Sequence, residues 1–127
     1  MRSDGNNMID EIAASRDTDA LIAKNVMGWK SITKRRTGDD YTGYNPGGVI
    51  DYVPHYSTGI EAAWEVVEKM RERYTFCELS LASHADKMIT FNINHYSADY
   101  TGLADTAPLA ICRAALKAME VDTDTTR

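Results

Sequence analysis

The sequence predicts an α+β fold in which helices cover a small, mainly antiparallel sheet. Three observations predict it. Three segments, running through Leu21–Trp29, Ile60–Met70 and Leu109–Leu116, repeat apolar residues at helical spacing. Two others, Phe76–Ala82 and Lys87–Asn94, alternate apolar and polar residues around Ser83-His84-Ala85-Asp86, the pattern of an antiparallel hairpin. The chain has 127 residues and is 43% hydrophobic, which suits one domain with one modest core.

Residues 1–7 are polar and read as a frayed tail. Met8 to Ala14 form a short helix, with Ile9, Ile12 and Ala13 on one side. Asp17 or Thr18 caps the next helix. There Ile22, Val26 and Trp29 follow at i, i+4 and i+7 with Leu21 beside them, and Gly28 helps to end it. Residues 31–56 are expected to be a long loop. Lys34-Arg35-Arg36 is followed by Gly38, Gly43, Pro46, Gly47 and Gly48, too many breakers for a long helix. Val49 to Val53 can form a short strand, and Tyr41, Tyr44, Tyr52 and Tyr56 punctuate the stretch. A loop this long in so small a domain is functional or partly disordered.

Thr58-Gly59-Ile60-Glu61 has the form of a capping box and opens the second long helix. Its stripe is Ile60, Ala63, Trp64, Val67 and Met70, which places Trp64 in the core. Arg71 and Arg73 suit the negative C-terminal end. Residues 95–104 then form a loop. Asp105-Thr106 caps the last helix, and Pro108 sits in its first turn. Leu109, Cys112 and Leu116 line its buried side, with Leu116 in the core. Arg113 lies about 40° from Leu109, on the border of that side. Residues 121–127 read as frayed, and residues 1–127 as a single domain.

Net charge is −5, which argues against nucleic acid as the main partner, since phosphate neutralisation needs a basic face. No apolar run approaches the roughly 18 residues of a membrane span, and the polar start carries no signal-peptide core. Cys77 and Cys112 are too few and too far apart for a disulfide framework or a zinc site, so free thiols in a reducing cytoplasm are expected.

Three blocks resemble the phage ABA sandwich domain family, small proteins of bacteriophages and prophages. They are Leu21 to Lys30, Tyr56 to Val67 and Ala104 to Ala118. The resemblance implies an α/β/α sandwich and the cytoplasm of the infected host. Members similar to this chain usually carry aspartate after Tyr-Ser-Thr, where this chain has Gly59. Loss of that first-turn carboxylate makes the helix start more welcoming to an anion.

The candidate ligand-binding residues are Lys34, Arg35, Arg36, Tyr44, His55, Tyr56, Ser57, Thr58, Asp105, Thr106 and Arg113. The basic run offers charge, tyrosines can stack on a base, and helix starts present free N–H groups to a phosphate. Each has a plainer reading. The run can be a solvated loop, Ser57, Thr58, Asp105 and Thr106 can be simple caps, and Arg113 can satisfy a backbone carbonyl. His55, His84 and His95 are well separated, and no metal spacing, nucleophile elbow or Walker loop is present. The expectation is therefore a protein without catalytic activity, cofactor or metal. The resemblance points to a counter-defence protein, expected to form a homo-oligomer, that sequesters a small anionic or nucleotide host signal. The alternatives are a protein that blocks a host defence protein and a virion or replication accessory protein.

Overall fold

The computed structural model describes residues 12–74, 76–81, 89–95 and 98–125. Helix α1 (Arg16–Ile22) continues into a π-helical stretch (Ala23–Met27). Strands β1 (Lys30–Lys34), β2 (Tyr41–Tyr44) and β3 (Ile50–Tyr52) follow, then helix α2 (Ile60–Arg73). Strands β4 (Phe76–Leu81), β5 (Ile89–His95) and β6 (Ala98–Ala104) precede helix α3 (Ala107–Thr125). The strands form two antiparallel sheets, in the orders β1-β2-β3 and β4-β5-β6. The molecule is an α+β sandwich. Helix α3 packs on β5 and β6, and α1 and α2 pack against α3.

The first helix starts two or three residues earlier than expected. Ser15, not Asp17 or Thr18, is its N-cap, and its hydroxyl accepts from the Thr18 amide at 3.2 Å. Ile22, Val26 and Trp29 are buried as their spacing predicts, whereas Leu21 is exposed. Gly28 closes the π-helical stretch with φ 85°, a left-handed conformation natural to glycine. The short helix expected from Met8 falls mostly outside the described residues, and Ile12 to Ala14 are not helical.

Two segments expected to be loops are strands. Residues 31–56 hold all of the first sheet except Lys30, and its β3 lies within the short strand expected at Val49 to Val53. Asn45 builds its β2–β3 turn by accepting from the amides of Gly47 (2.9 Å) and Val49 (3.1 Å). Ser31, at φ 55°, marks the bulge between Lys30 and Thr33 that shifts the register of β1 on β2. Residues 98–104 form β6, which pairs along the full length of β5. The expected β4–β5 hairpin is present in register from Phe76↔Asn94 to Leu81↔Ile89, and its turn lies outside the described residues. Helix α3 runs on to Thr125, through much of the stretch expected to fray.

Helix α2 is rotated from its expected setting. Ala63, Val66, Val67 and Met70 are buried, while Trp64 is 47% exposed. The set 63, 66, 67, 70 is itself a helical stripe, and Trp64 lies on its rim. Trp64→Ala should therefore cost about 1 kcal/mol or less in urea unfolding, against roughly 3–5 kcal/mol for a buried tryptophan. Leu116 is buried as expected. The capping box does not form. Gly59 is the N-cap of α2, and no side chain caps the helix there.

The core also holds two groups that must stay neutral. Burial, reinforced by the Glu65 charge, pushes the Tyr56 phenol up to about 12. Burial pushes the Cys112 thiol up from 9.0, and its Sγ donates to the Tyr56 carbonyl at 3.3 Å. In both cases the folded value lies above the ordinary one, so folding favours the protonated form. That stability is complete below pH 9.0 and is lost as pH rises, first through Cys112 and then, between 10.0 and about 12, through Tyr56. An alkaline melting series should show Tm falling in that window. A Tm independent of pH there would contradict the burial of both groups.

Candidate functional site

The first sheet presents one face inward and one outward, and alternation along the strands decides which residues go where. Tyr41 faces inward and donates to Asp17 Oδ1 at 2.5 Å, which holds its phenol above the usual range. Ile32 and Tyr41 pack against the core. Gly43 is buried against Ile32, and a Cβ there would lie 2.9 Å from Ile32 Cγ1. Thr42 pairs with Tyr52, Tyr44 with Ile50, and Lys30 with Tyr44, so these side chains share the outer face. Tyr44, Ile50 and Tyr52 are 47%, 62% and 51% exposed.

The basic run divides across this sheet. Lys34 pairs with Tyr41 and so faces inward, where it lines a hollow with Ser15, Arg16, Asp17 and Asp39. Arg35 faces out. Its guanidinium lies 5.4 Å from the centre of the Tyr52 ring and donates to the Tyr52 hydroxyl. Arg36 is exposed beyond the strand. Of the expected ligand residues, Arg35 and Tyr44 thus share a face, with Tyr52 and Ile50 added by the strand register.

The Tyr56-Ser57-Thr58 block does something else. Ser57 is buried against Asp19, itself 1% exposed, on the buried side of α1. Asp19 Oδ1 accepts from both the Ser57 amide and hydroxyl at 2.7 Å. The Ser57 oxygen accepts in turn from the Ser15 amide at 3.0 Å. Arg16 completes the cluster. Its Nη1 donates to Asp19 Oδ2 at 2.5 Å and to the Pro54 carbonyl at 3.1 Å, and its Nη2 donates to the Val53 carbonyl. Arg16 Nε lies 3.3 Å from Asp40 without the angle of a hydrogen bond. This latch fastens the end of the first sheet and the start of α2 to α1. It places Tyr56 and Ser57 inside the protein, with only His55 and Thr58 exposed on the connector.

Arg113 is likewise occupied. Nε and Nη2 donate to the Ile12 carbonyl at 3.1 and 2.8 Å, and Nη1 donates to the Leu103 carbonyl at 2.6 Å. It ties the chain before α1 to the end of β6. Asp105 and Thr106 are exposed where α3 begins, and Thr106 Oγ1 lies 3.5 Å from the Leu109 amide. That contact suits a cap, and the pair follows the second sheet, apart in the chain from the Arg35–Tyr52 face. Among the described residues, no group of three or more histidines, cysteines, aspartates or glutamates could hold a metal ion. No helix among them is long and apolar enough to cross a membrane.

The phage ABA sandwich domain family model matches residues 20–116. A phage protein from Bacillus cereus ATCC 14579, known from its crystal structure, is similar over 83% of this chain and 86% of its own. The two are 30% identical, with a TM-score of 0.65. No curated protein matches the chain.

Proposed function

This chain belongs to the phage ABA sandwich domain family, and on that premise we propose that it is a non-enzymatic accessory protein acting in the host cytoplasm. It binds its target through the outer face of the first sheet. One observation carries this reading. Tyr44, Ile50 and Tyr52 stand together in the open on adjacent strands, with Arg35 laid against Tyr52. Exposed tyrosine and arginine at one spot are the residue types that anchor protein interfaces. A three-stranded ribbon offers a surface, whereas a sequestered small molecule is mostly enclosed. The target that fits best is a host protein presenting apolar and acidic groups, and blocking it is a counter-defence role.

The cation–aromatic pair favours a second reading, in which a nucleotide stacks on Tyr52 while Arg35 and Arg36 meet its phosphates. Capture from host extract on immobilised protein, together with native mass spectrometry, separates the two. The first reading predicts one retained host protein and an unliganded mass for the chain. The second predicts a retained small phosphorylated molecule that heating releases unchanged. A converted product would overturn both.

Changing Lys34, Arg35 and Arg36 together to alanine should weaken capture while shifting stability by about 1 kcal/mol or less, because exposed charges stabilise little. Arg35 should account for most of the loss, because it alone of the three is stacked on the outer face. A triple variant that captures its target as wild type does would remove the basic run from the site.

A further inference from the structure

The outermost strand of a sheet offers unpaired backbone groups unless something covers them. On the second sheet, α3 closes the β6 edge, where Lys117 donates to the Thr101 carbonyl at 2.7 Å and Arg113 to the Leu103 carbonyl at 2.6 Å. On the first sheet, the Ser31 bulge breaks the β1 edge. Strand β3 has no such cover. The Val53 amide donates to the Tyr41 carbonyl and the Asn45 amide to the Val49 carbonyl, both at 2.9 Å. Val49, Asp51 and Val53 therefore bond to β2, and Ile50 and Tyr52 aim their backbone groups away from the sheet. Asp51 Oδ1 accepts from the Tyr52 amide at 2.8 Å. The Ile50 amide and the Ile50 and Tyr52 carbonyls have no partner among the described residues. All three residues of β3 are exposed, and neither lysine nor proline guards the strand.

We propose that an extended segment of the target joins β3 as a fourth, antiparallel strand of the first sheet. The proposal rests on the outer face of that sheet being the target's site. The Ile50 amide and carbonyl together suit one residue of an antiparallel strand, which exchanges both bonds with it. Side chains then set the chemistry of the segment. The residue opposite Ile50 lies on the apolar outer face and is apolar. The residue opposite Tyr52 lies on the same face, beside the Arg35 guanidinium, and is acidic. The residue between them lies on the other face, opposite Asp51, and is basic. It draws the Asp51 carboxylate toward itself and frees the Tyr52 amide for the added strand. Along the added strand the order is acidic, basic, apolar.

The probe is the peptide Thr-Glu-Lys-Val-Thr-Thr, acetylated and amidated, titrated into the isotope-labelled full chain and followed by amide NMR. Millimolar peptide should shift the Ile50 and Tyr52 amides and slow their exchange. N-methylation of its valine amide, which faces β3, should weaken binding at least about tenfold, whereas N-methylation of its lysine amide, which faces away, should leave it nearly unchanged. Ile50→Pro removes the same bond from the chain's side and should abolish binding, while Ile50→Val should preserve it, with circular dichroism confirming that both variants fold. No shift at β3, or equal binding of the two methylated peptides, would overturn strand addition. Shifts confined to Cys77 and Leu79 would also overturn it, by placing the added strand on β4. The capture experiment above tests the outer face independently, so loss of Tyr52- and Arg35-dependent capture would sink that reading, and intact capture with a silent β3 edge would sink only this one.

Discussion

Gly102→Ala is expected to be the most damaging single methyl that can be added to this protein. Gly102 lies in β6 directly under α3, and a Cβ there would sit 2.1 Å from the Ala110 carbonyl oxygen and 2.6 Å from the Ala114 amide nitrogen. Both neighbours are backbone in a regular helix, so no side chain can rotate away. Relief requires lifting α3 off the sheet. That move would open contacts made by Ala110, Ala114, Ala115 and Ala118, all fully buried, and strain the Lys117 hydrogen bond to the Thr101 carbonyl at 2.7 Å. Overpacking of a closed core costs about 1–3 kcal/mol, and the absence of any yielding atom puts this case at the top of that range or beyond it. Against a typical total of roughly 5–15 kcal/mol, the variant should melt far below wild type or fail to accumulate as folded protein. A urea midpoint within error of wild type would mean that α3 does not lie flush on β6.

The second large effect is expected at Asp19. Asp19→Ala removes the acceptor for the buried Ser57 amide and hydroxyl and leaves the Arg16 guanidinium, only 14% exposed, with the half-exposed Asp40 in place of its buried carboxylate partner. Breaking a buried ion pair from one side costs about 3–5 kcal/mol. Ser57→Ala should cost less, about 1–3 kcal/mol, since the Asp19 carboxylate keeps the amide and Arg16. Because both variants disturb one network, the double variant should cost clearly less than the two losses added together. Strict additivity in chemical denaturation would show that Asp19 and Ser57 act independently, contrary to the latch. Target capture, measured at a temperature where Ser57→Ala remains folded, should be unchanged, because the latch is interior and the proposed face is not.

Much of this architecture could be read from residue order, and the exceptions have specific causes. The last helix was legible because Leu109, Cys112 and Leu116 repeat at helical spacing behind Thr106 and Pro108. The β4–β5 hairpin was legible because its alternation is unbroken. Strand β6 was hidden because its inward positions include Gly102 and Ala104, kept small by the closeness of α3, so no apolar alternation marks it. Of the first sheet only β3 was legible, as the short strand expected at Val49 to Val53, and β1 and β2 were hidden because Gly43, Pro46, Gly47 and Gly48 read as breakers. Gly43 is instead a strand residue made small by Ile32, and the other three belong to the β2–β3 turn. Trp64 was placed in the core because two overlapping stripes run along α2 and a tryptophan makes the wrong one look heavier.

The site was legible in part. Arg35 and Tyr44 stand out as cation and aromatic in a segment rich in glycine. That Lys34 turns inward while Arg35 turns outward follows only from strand alternation, which a loop assignment removes. Ser57 was singled out as a ligand residue or a cap, but its buried pairing with Asp19 was missed, although Asp19 offered a signal. It lies three residues before Ile22 and seven before Val26, on the apolar stripe of α1, where a carboxylate requires a buried partner. Arg113 has the same logic with backbone carbonyls as the partner, an alternative already open from its border position.

The proposed role rests on the outer face of the first sheet. The most direct test is amide hydrogen exchange on the chain with and without its captured target. The account predicts new protection concentrated in residues 30–36 and 41–52, with α3 and the second sheet unchanged. Protection confined to α2, the second sheet or the start of α3, with the first sheet exchanging as in the free protein, would contradict it.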